Sequence, residues 1–250
     1  MEAIDSVLMY EDRKAYEIII VNDGSTDEYT LLLLKKLSGE GFTVLDQQNQ
    51  GPAAARNSGV KQSKAPYILF LDSDNKIRAQ YINRGIEILN TYNDVAVAYG
   101  NASFFGETDK PRFITRAFDK YSIFMGNYID ICSVVRKKAW QDVGGLDENR
   151  LLIGHEDWEF WIHLSSKDWK FHFINEVLFD YRIRDNSLLL QKSEENNLKE
   201  IMLYVYTKHW YLLLNSYRGL YANYRENRSS PVRSSLRNLY HKYLRRSNIN

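Results

Sequence analysis

Cysteine is almost missing from this chain of 250 residues. Cys132 stands alone, which excludes an intrachain disulfide and any metal site built from clustered cysteines, and favours a reducing compartment. No apolar run approaches the roughly 18 residues needed to span a bilayer. The N-terminus has acids where a secretory signal would have a basic segment and an apolar stretch. Both features give the cytoplasm as the expected location. Serine hydrolysis lacks its G-x-S-x-G elbow, and nucleotidyl transfer lacks a glycine-rich, basic triphosphate loop near the first strand. A core is not lacking: 44% of residues are hydrophobic and 14% aromatic, enough for one large α/β domain or two small ones.

The net charge of +1 conceals an asymmetry. Residues 217–250 hold eight Lys or Arg against one acid, Glu226, so this tail carries +7 and residues 1–216 carry −6. A basic, tyrosine-rich tail on an acidic body suits an anionic partner.

Along the first two-thirds, strand-like and helix-like stretches alternate. "YEIIIVND" (16–23), "FTVLDQQ" (42–48), "YILFLDSD" (67–74) and "VAVAYGNASFF" (95–105) read as strands; "YTLLLLKKLS" (29–38), "GPAAARNSGVKQS" (51–63) and "YINRGIEILNTY" (81–92) read as helices. Such alternation predicts an α/β fold with a mostly parallel sheet and helices on both faces, whose ligand edge lies at the carboxyl ends of the strands. Asp23 falls at one such end, and Asp72 and Asp74 at another. Each also has a plainer reading: "DSDN" is common turn chemistry, and Ser25 three residues before Glu28 fits a capping box.

Four segments in order, "EIIIVNDGSTDE" (17–28), "NQGPAAARNSGVKQSKAPYILFLDSDN" (49–75), "VGGLDE" (143–148) and "GHEDWEFWIHL" (154–164), resemble the successive motifs of the family 2 glycosyltransferases. These are inverting nucleotide-sugar enzymes of GT-A fold. The resemblance spans about residues 1–190, and residues 191–250 are expected to form a helical, basic extension. It implies that Asp23 accepts a hydrogen bond from the nucleotide base, that Arg56 lies near base and ribose unless it is a plain surface residue, and that Asp72 and Asp74 form the DxD motif. In that motif Asp72 lies toward the ribose and Asp74 binds a divalent cation, Mn²⁺ or Mg²⁺, bridging the diphosphate; hard oxygen ligands suit such ions. Asp157 matches the catalytic base, with Glu156 beside it to bind or orient the acceptor. Both acids also suit the positive end of a helix. Asp147 is a weaker candidate on the acceptor side. His155 reads as an ordinary polar contact, and Cys132 as a small core residue.

The chain departs from the family pattern at Asn22 and Asn75, where acids are usual, and at Arg184, where a metal-shell histidine is usual. An arginine there would contact diphosphate directly. Family members also begin with a strand ahead of the helix that here reads "EAIDSVLMY" (2–10), and without it two neighbouring strands are expected to have unpaired edges.

The expected function is metal-dependent inverting transfer from a nucleotide-sugar, UDP-linked by preference, to a saccharide or lipid-linked acceptor in surface polysaccharide or glycolipid synthesis. The alternative is a non-catalytic nucleotide-binding remnant. For residues 198–228 the readings are a helix packed on the catalytic domain or a basic surface resting on an anionic membrane at its inner face; no nucleic-acid module is recognisable. Homo-oligomerisation is a further partner expectation, since a second chain could fill the strand gap.

Overall fold

The computed structural model describes residues 1–10, 12, 16–184, 195–230, 232 and 235. The chain divides into two compact units, Met1–Thr207 and Lys208–Asn250. The basic residues Arg233, Arg237, Lys242, Arg245 and Arg246 lie outside the described residues.

In the first unit come α1 (Glu2–Leu8), β1 (Ile19–Asp23), α2 (Glu28–Gly39), β2 (Thr43–Gln47), α3 (Pro52–Gln62), β3 (Tyr67–Leu69), β4 (Lys76–Ile77), α4 (Gln80–Thr91) and β5 (Val95–Gly106). From β1 to β5 they follow the alternation read from the sequence, except that β3 ends at Leu69 rather than Asp74 and the short β4 has no counterpart in that reading. After them come β6 (Val134–Arg136), α5 (Lys137–Asp142), α6 (Glu156–Ser165), β7 (Lys170–Ile183) and α7 (Glu195–Lys208). The cap of α2 differs from expectation. Asp27, one residue before the helix, accepts the Thr30 N–H at 2.9 Å, while the Ser25 N–H donates to Asn22 Oδ1. Since the helix starts at Glu28, Ser25 is two residues too early to cap it.

The sheet is more mixed than alternation alone implies. β1 pairs in parallel with β2, and a separate five-stranded sheet runs in the order β3-β6-β5-β7-β4. Within it only β5–β7 is parallel; the other three pairings are antiparallel. β6 arrives late in the chain and inserts between β3 and β5, which no local pattern announces. Among the described residues β1 has no partner but β2, and β3 none but β6, so each has one open edge.

The core lies under α4. Tyr81, Leu89, Ala98, Cys132, Val134, Leu178 and Phe179 pack together. The Tyr81 hydroxyl donates to the Cys132 carbonyl at 2.6 Å, which satisfies a phenol that would otherwise be costly to bury. Cys132 is buried, and burial pushes its thiol up, so it is packing material, as its apolar setting suggested. α7 also belongs to this unit: Ile201 and Val205 are fully buried, and the Tyr206 hydroxyl donates to the Phe124 carbonyl. The helical pattern over 198–228 is two helices, since the chain breaks at His209 before α8 (Trp210–Ser229).

Candidate active site

β1 and α3 build one side of the site. At the end of β1, Asp23 accepts three N–H groups: Gln47 Nε2 and the Gln50 amide on Oδ1, at 2.8 and 2.9 Å, and the Gly51 amide on Oδ2 at 2.8 Å. Gly51 caps α3 with φ +96°, a conformation that glycine adopts without strain. Asp23 therefore fixes the chain's entry into α3 and keeps acceptor capacity on Oδ2. Asn22, the neighbour that departs from the family acid, donates to Asp46 Oδ1 at 2.8 Å while accepting from Ser25. A carboxylate could not donate to Asp46, so asparagine fits this strand pairing.

α3 carries two adjacent residues with different tasks. Arg56 Nη2 contacts Asp72 Oδ1 at 2.7 Å and Nη1 contacts Glu156 Oε1 at 2.5 Å. One guanidinium thus joins the turn after β3 to the first turn of α6, which lies 100 residues beyond Arg56 in the chain. Burial works against the Arg56 charge, but Asp72 and then Glu156 outweigh it and hold the group protonated. Asn57, buried, ties α3 to the "VGGLDE" turn: Nδ2 donates to the Leu146 carbonyl and to Glu148, and Oδ1 accepts from Trp140 Nε1 and the Leu146 amide. Gly145, at φ +92°, passes so close that an added Cβ would lie 2.7 Å from Asn57 Oδ1.

The segment "DSDN" is both a turn and an acidic edge. The Asn75 amide donates to the Asp72 carbonyl at 3.1 Å, and Asn75 Oδ1 accepts the Arg182 amide of β7 at 2.8 Å. Arg182 Nε adds a bond to the Asp74 carbonyl. These bonds account for asparagine at position 75 and clamp the turn against β7. Asp74 Oδ2 lies 3.4 Å from Arg184 Nε. Burial and then the Asp72 charge push the Asp74 carboxyl up, opposed by Arg184.

At the start of α6, Trp158, Trp161 and Ile162 are buried, as their spacing suggested, and their packing fixes the helix. Asp157 accepts the Trp158 amide on Oδ1 and Asn127 Nδ2 on Oδ2, both at 2.7 Å. Burial, Glu156 and Asp130 push its carboxyl well above the usual range, with Arg56 opposing. Glu156 also accepts the Gly154 amide at 2.7 Å. Burial lowers the His155 pKa, with Glu156 opposing, and its Nδ1 is buried with no hydrogen-bond partner among the described residues.

The sequence reading missed four residues. Asp130, just before β6, accepts the Cys132 amide and is pushed up to about 7 by burial and then by Asp72. Its one legible signal is an acid inside the apolar run "YIDICSVV". Asn57 showed only as an amide in a small-residue helix. Asn127, which holds Asp157, and Tyr204, which donates to Asp147 Oδ2 at 2.7 Å, gave no signal. Asp147 also accepts the Asn149 amide, so both of its oxygens serve the turn and its tie to α7.

Thus Arg56, Asp72 and Glu156 meet directly, Asp74 and Arg184 pair beside them, and Asp130 and Asp157 share their field. Two neighbouring carboxylates, Asp72 and Asp74, offer the hard oxygen donors that a divalent cation favours. Among the described residues no group of three or more His, Cys, Asp or Glu side chains is arranged to hold a metal ion.

Comparison with known proteins adds a separate line of observation. Residues 1–143 match the family profile described as glycosyl transferase family 2. The chain is 28% identical over 227 residues to the Escherichia coli protein named UDP-Glc:alpha-D-GlcNAc-diphosphoundecaprenol beta-1,3-glucosyltransferase WfaP, covering 87% of this chain and 88% of that one. It is 29% identical over 213 residues to glycosyltransferase GlyA of Streptococcus pneumoniae, covering 75% of this chain and 29% of GlyA. Several relatives are much longer: the chain spans 28% of an uncharacterized glycosyltransferase of Rickettsia conorii. Among solved structures, S. aureus TarS 1-349 in complex with UDP-GlcNAc superposes with a TM-score of 0.59 at 18% identity, over 76% of this chain and 56% of that one, which establishes a shared fold.

Proposed function

The chain belongs to glycosyl transferase family 2, and from that premise we propose that it transfers a sugar from a UDP-linked donor to a saccharide or lipid-linked acceptor with inversion. The observation that carries this reading is Arg56, whose two arms hold Asp72 at 2.7 Å and Glu156 at 2.5 Å. Through it, the acids read as donor-side and those read as acceptor-side occupy one cluster. The named activity of WfaP on a diphosphoundecaprenol acceptor supports the acceptor class, and the UDP-GlcNAc complex of TarS supports the donor class.

In this reading Asp157 takes the proton of the acceptor hydroxyl as its oxygen attacks the anomeric carbon from the face opposite the diphosphate. The new C–O bond forms as the bond to the nucleoside diphosphate breaks. A raised Asp157 pKa suits the task, because a base works best when its pKa approaches the working pH. Asn127 orients Asp157, and Glu156 is fixed by Arg56 and the Gly154 amide. Asp23 offers its remaining Oδ2 acceptor site to an imide N–H of the base. Asp74 and Asp72 would hold Mn²⁺ or Mg²⁺, which when bound supplies positive charge to offset the departing diphosphate. The Arg184–Asp74 pair at 3.4 Å favours a direct contribution of Arg184 to the diphosphate and a correspondingly weaker affinity for the cation.

The test is thermal stability with UDP, GDP and their sugars, with and without Mn²⁺. Stabilisation that needs both UDP and Mn²⁺, and is lost in Asp74→Asn, is the expected result. No response to any nucleotide would sink the donor site. A second reading, nucleotide binding without transfer, draws on the open edges of β1 and β3; stabilisation by UDP with no sugar transferred would favour it.

A further inference from the structure

The described part of the second unit is dominated by one helix, α8, with an apolar stripe that its own fold does not bury. Trp210, Leu214, Tyr217, Tyr221 and Tyr224 follow one another at spacings of four, three, four and three, so they line a single face. All five are exposed, Trp210 and Tyr217 to more than half of their full surface. The tyrosines form a ladder, with Tyr217 stacked on Tyr221 and Tyr221 on Tyr224 at centroid distances of 6.3 and 6.4 Å. Arg218 and Arg225 flank this stripe and Arg228 continues it, while the helix's one acid, Glu226, falls on the opposite side by helical spacing.

We propose that this face of α8 lies on an anionic lipid bilayer, with the Trp210–Tyr224 stripe at the depth of the headgroups and Arg218, Arg225 and Arg228 against the lipid phosphates.

Three observations select this occupant. A spacing of fours and threes also suits pairing with a second copy. Such pairing would bring arginine flanks together with no acid on the stripe side to offset them. Tryptophan and tyrosine, with an apolar ring and a polar tip, suit the interface between water and hydrocarbon better than a dry seam. Finally, no helix among the described residues is long and apolar enough to cross a membrane, so this helix would lie along the surface. The purpose rests on the proposed transfer to a lipid-linked acceptor, since surface attachment would concentrate the enzyme where such an acceptor resides. The binding itself does not depend on that reading.

The experiment is flotation of the whole chain with vesicles of phosphatidylcholine alone and of phosphatidylcholine mixed with phosphatidylglycerol, without donor or acceptor. Binding to the mixed vesicles, weakened by salt, is expected. Each basic residue near an anionic surface contributes roughly fivefold in partitioning, so Arg218→Gln, Arg225→Gln and Arg228→Gln together should reduce binding on the order of a hundredfold. Transfer to a soluble acceptor, measured separately, should be unchanged by them. In the unsubstituted chain, brominated lipid should quench part of the tryptophan emission, and that part should be absent in Trp210→Phe. This readout holds even if the triple variant folds poorly. Failure to bind either vesicle, equal binding to both, or a concentration-dependent dimer that buries Trp210 would each overturn the proposal. Loss of transfer with vesicle binding intact would instead fault the catalytic reading.

Discussion

Asp23 and Asp130 are both aspartates beside strands, yet their surroundings are opposite. Asp23 stands among donors: three N–H groups converge on its two oxygens. Asp130 stands among acids: burial first, then Asp72 and Asp74, raise its pKa, and one backbone amide and Arg56 oppose them. Asp74 and Asp157 share the second condition. On the β1 side a carboxylate is used to fix chain geometry. On the β3 and α6 side negative charge is concentrated beyond what Arg56 and Arg184 offset, a cost in stability that a cationic ligand or a proton would relieve.

The largest expected effect is on chemistry. Asp157→Asn should lower the transfer rate by about a hundredfold to ten-thousandfold, while the stabilisation by UDP and Mn²⁺ persists. Unchanged turnover would remove Asp157 from the base role and leave the acidic side without its proposed purpose.

Next comes the link between the two sides. Arg56→Gln leaves Glu156, buried to all but 7% of its side chain, without its cation. Breaking a buried pair in this way costs about 3 kcal/mol, and the more open Asp72 arm adds little. Denaturant unfolding should show the loss. A near-neutral result would mean that the cluster is more hydrated than its geometry indicates.

The sharpest comparison uses the same substitution twice. Asp23→Asn replaces one acceptor oxygen by a donor that faces an N–H group, and should destabilise by about 1–3 kcal/mol. Asp130→Asn should do the reverse. Its folded-state pKa of about 7 lies above the unfolded value near 3.9, so the folded chain binds more protons through that window and loses stability as pH rises across it. The variant, lacking that titration, should melt higher than the unsubstituted chain at about pH 8, and the gain should fade as pH falls toward about 4. Its Oδ1 can still accept the Cys132 amide. Melting curves across pH measure both, and a gain independent of pH would disprove the electrostatic origin.

Much of this was legible in the chain itself. The elements β1, α2, β2, α3, β3, α4 and β5 follow from hydrophobic period and turn residues, because those depend on neighbours within a few positions, whereas the two-residue β4 is too short to show a period. The alignment of Asp23, Asp72 and Asp74 with strand exits was legible for the same reason, and the first turn of α6 was marked by its acids and tryptophans. The cap of α2 was misplaced by two residues, since Ser25 and Asp27 are both good caps and only the backbone selects between them. Asp130 and Asn127 escaped because their importance depends on β6 and the segment before it reaching the neighbourhood of β3 and α6.

The sequence by itself determined which residue types stand at the strand ends, that the body is acidic, and that residues 217–250 are basic. Tertiary structure alone decided that Arg56 would face two acids 16 and 100 residues away, that Asn75 would be locked to β7, and that Asp130 would share the field of Asp72. Local pattern is set by sterics and hydrogen bonds over a few residues. Charge acts through space at reduced dielectric, so the strength of each carboxylate was settled only when distant segments packed together.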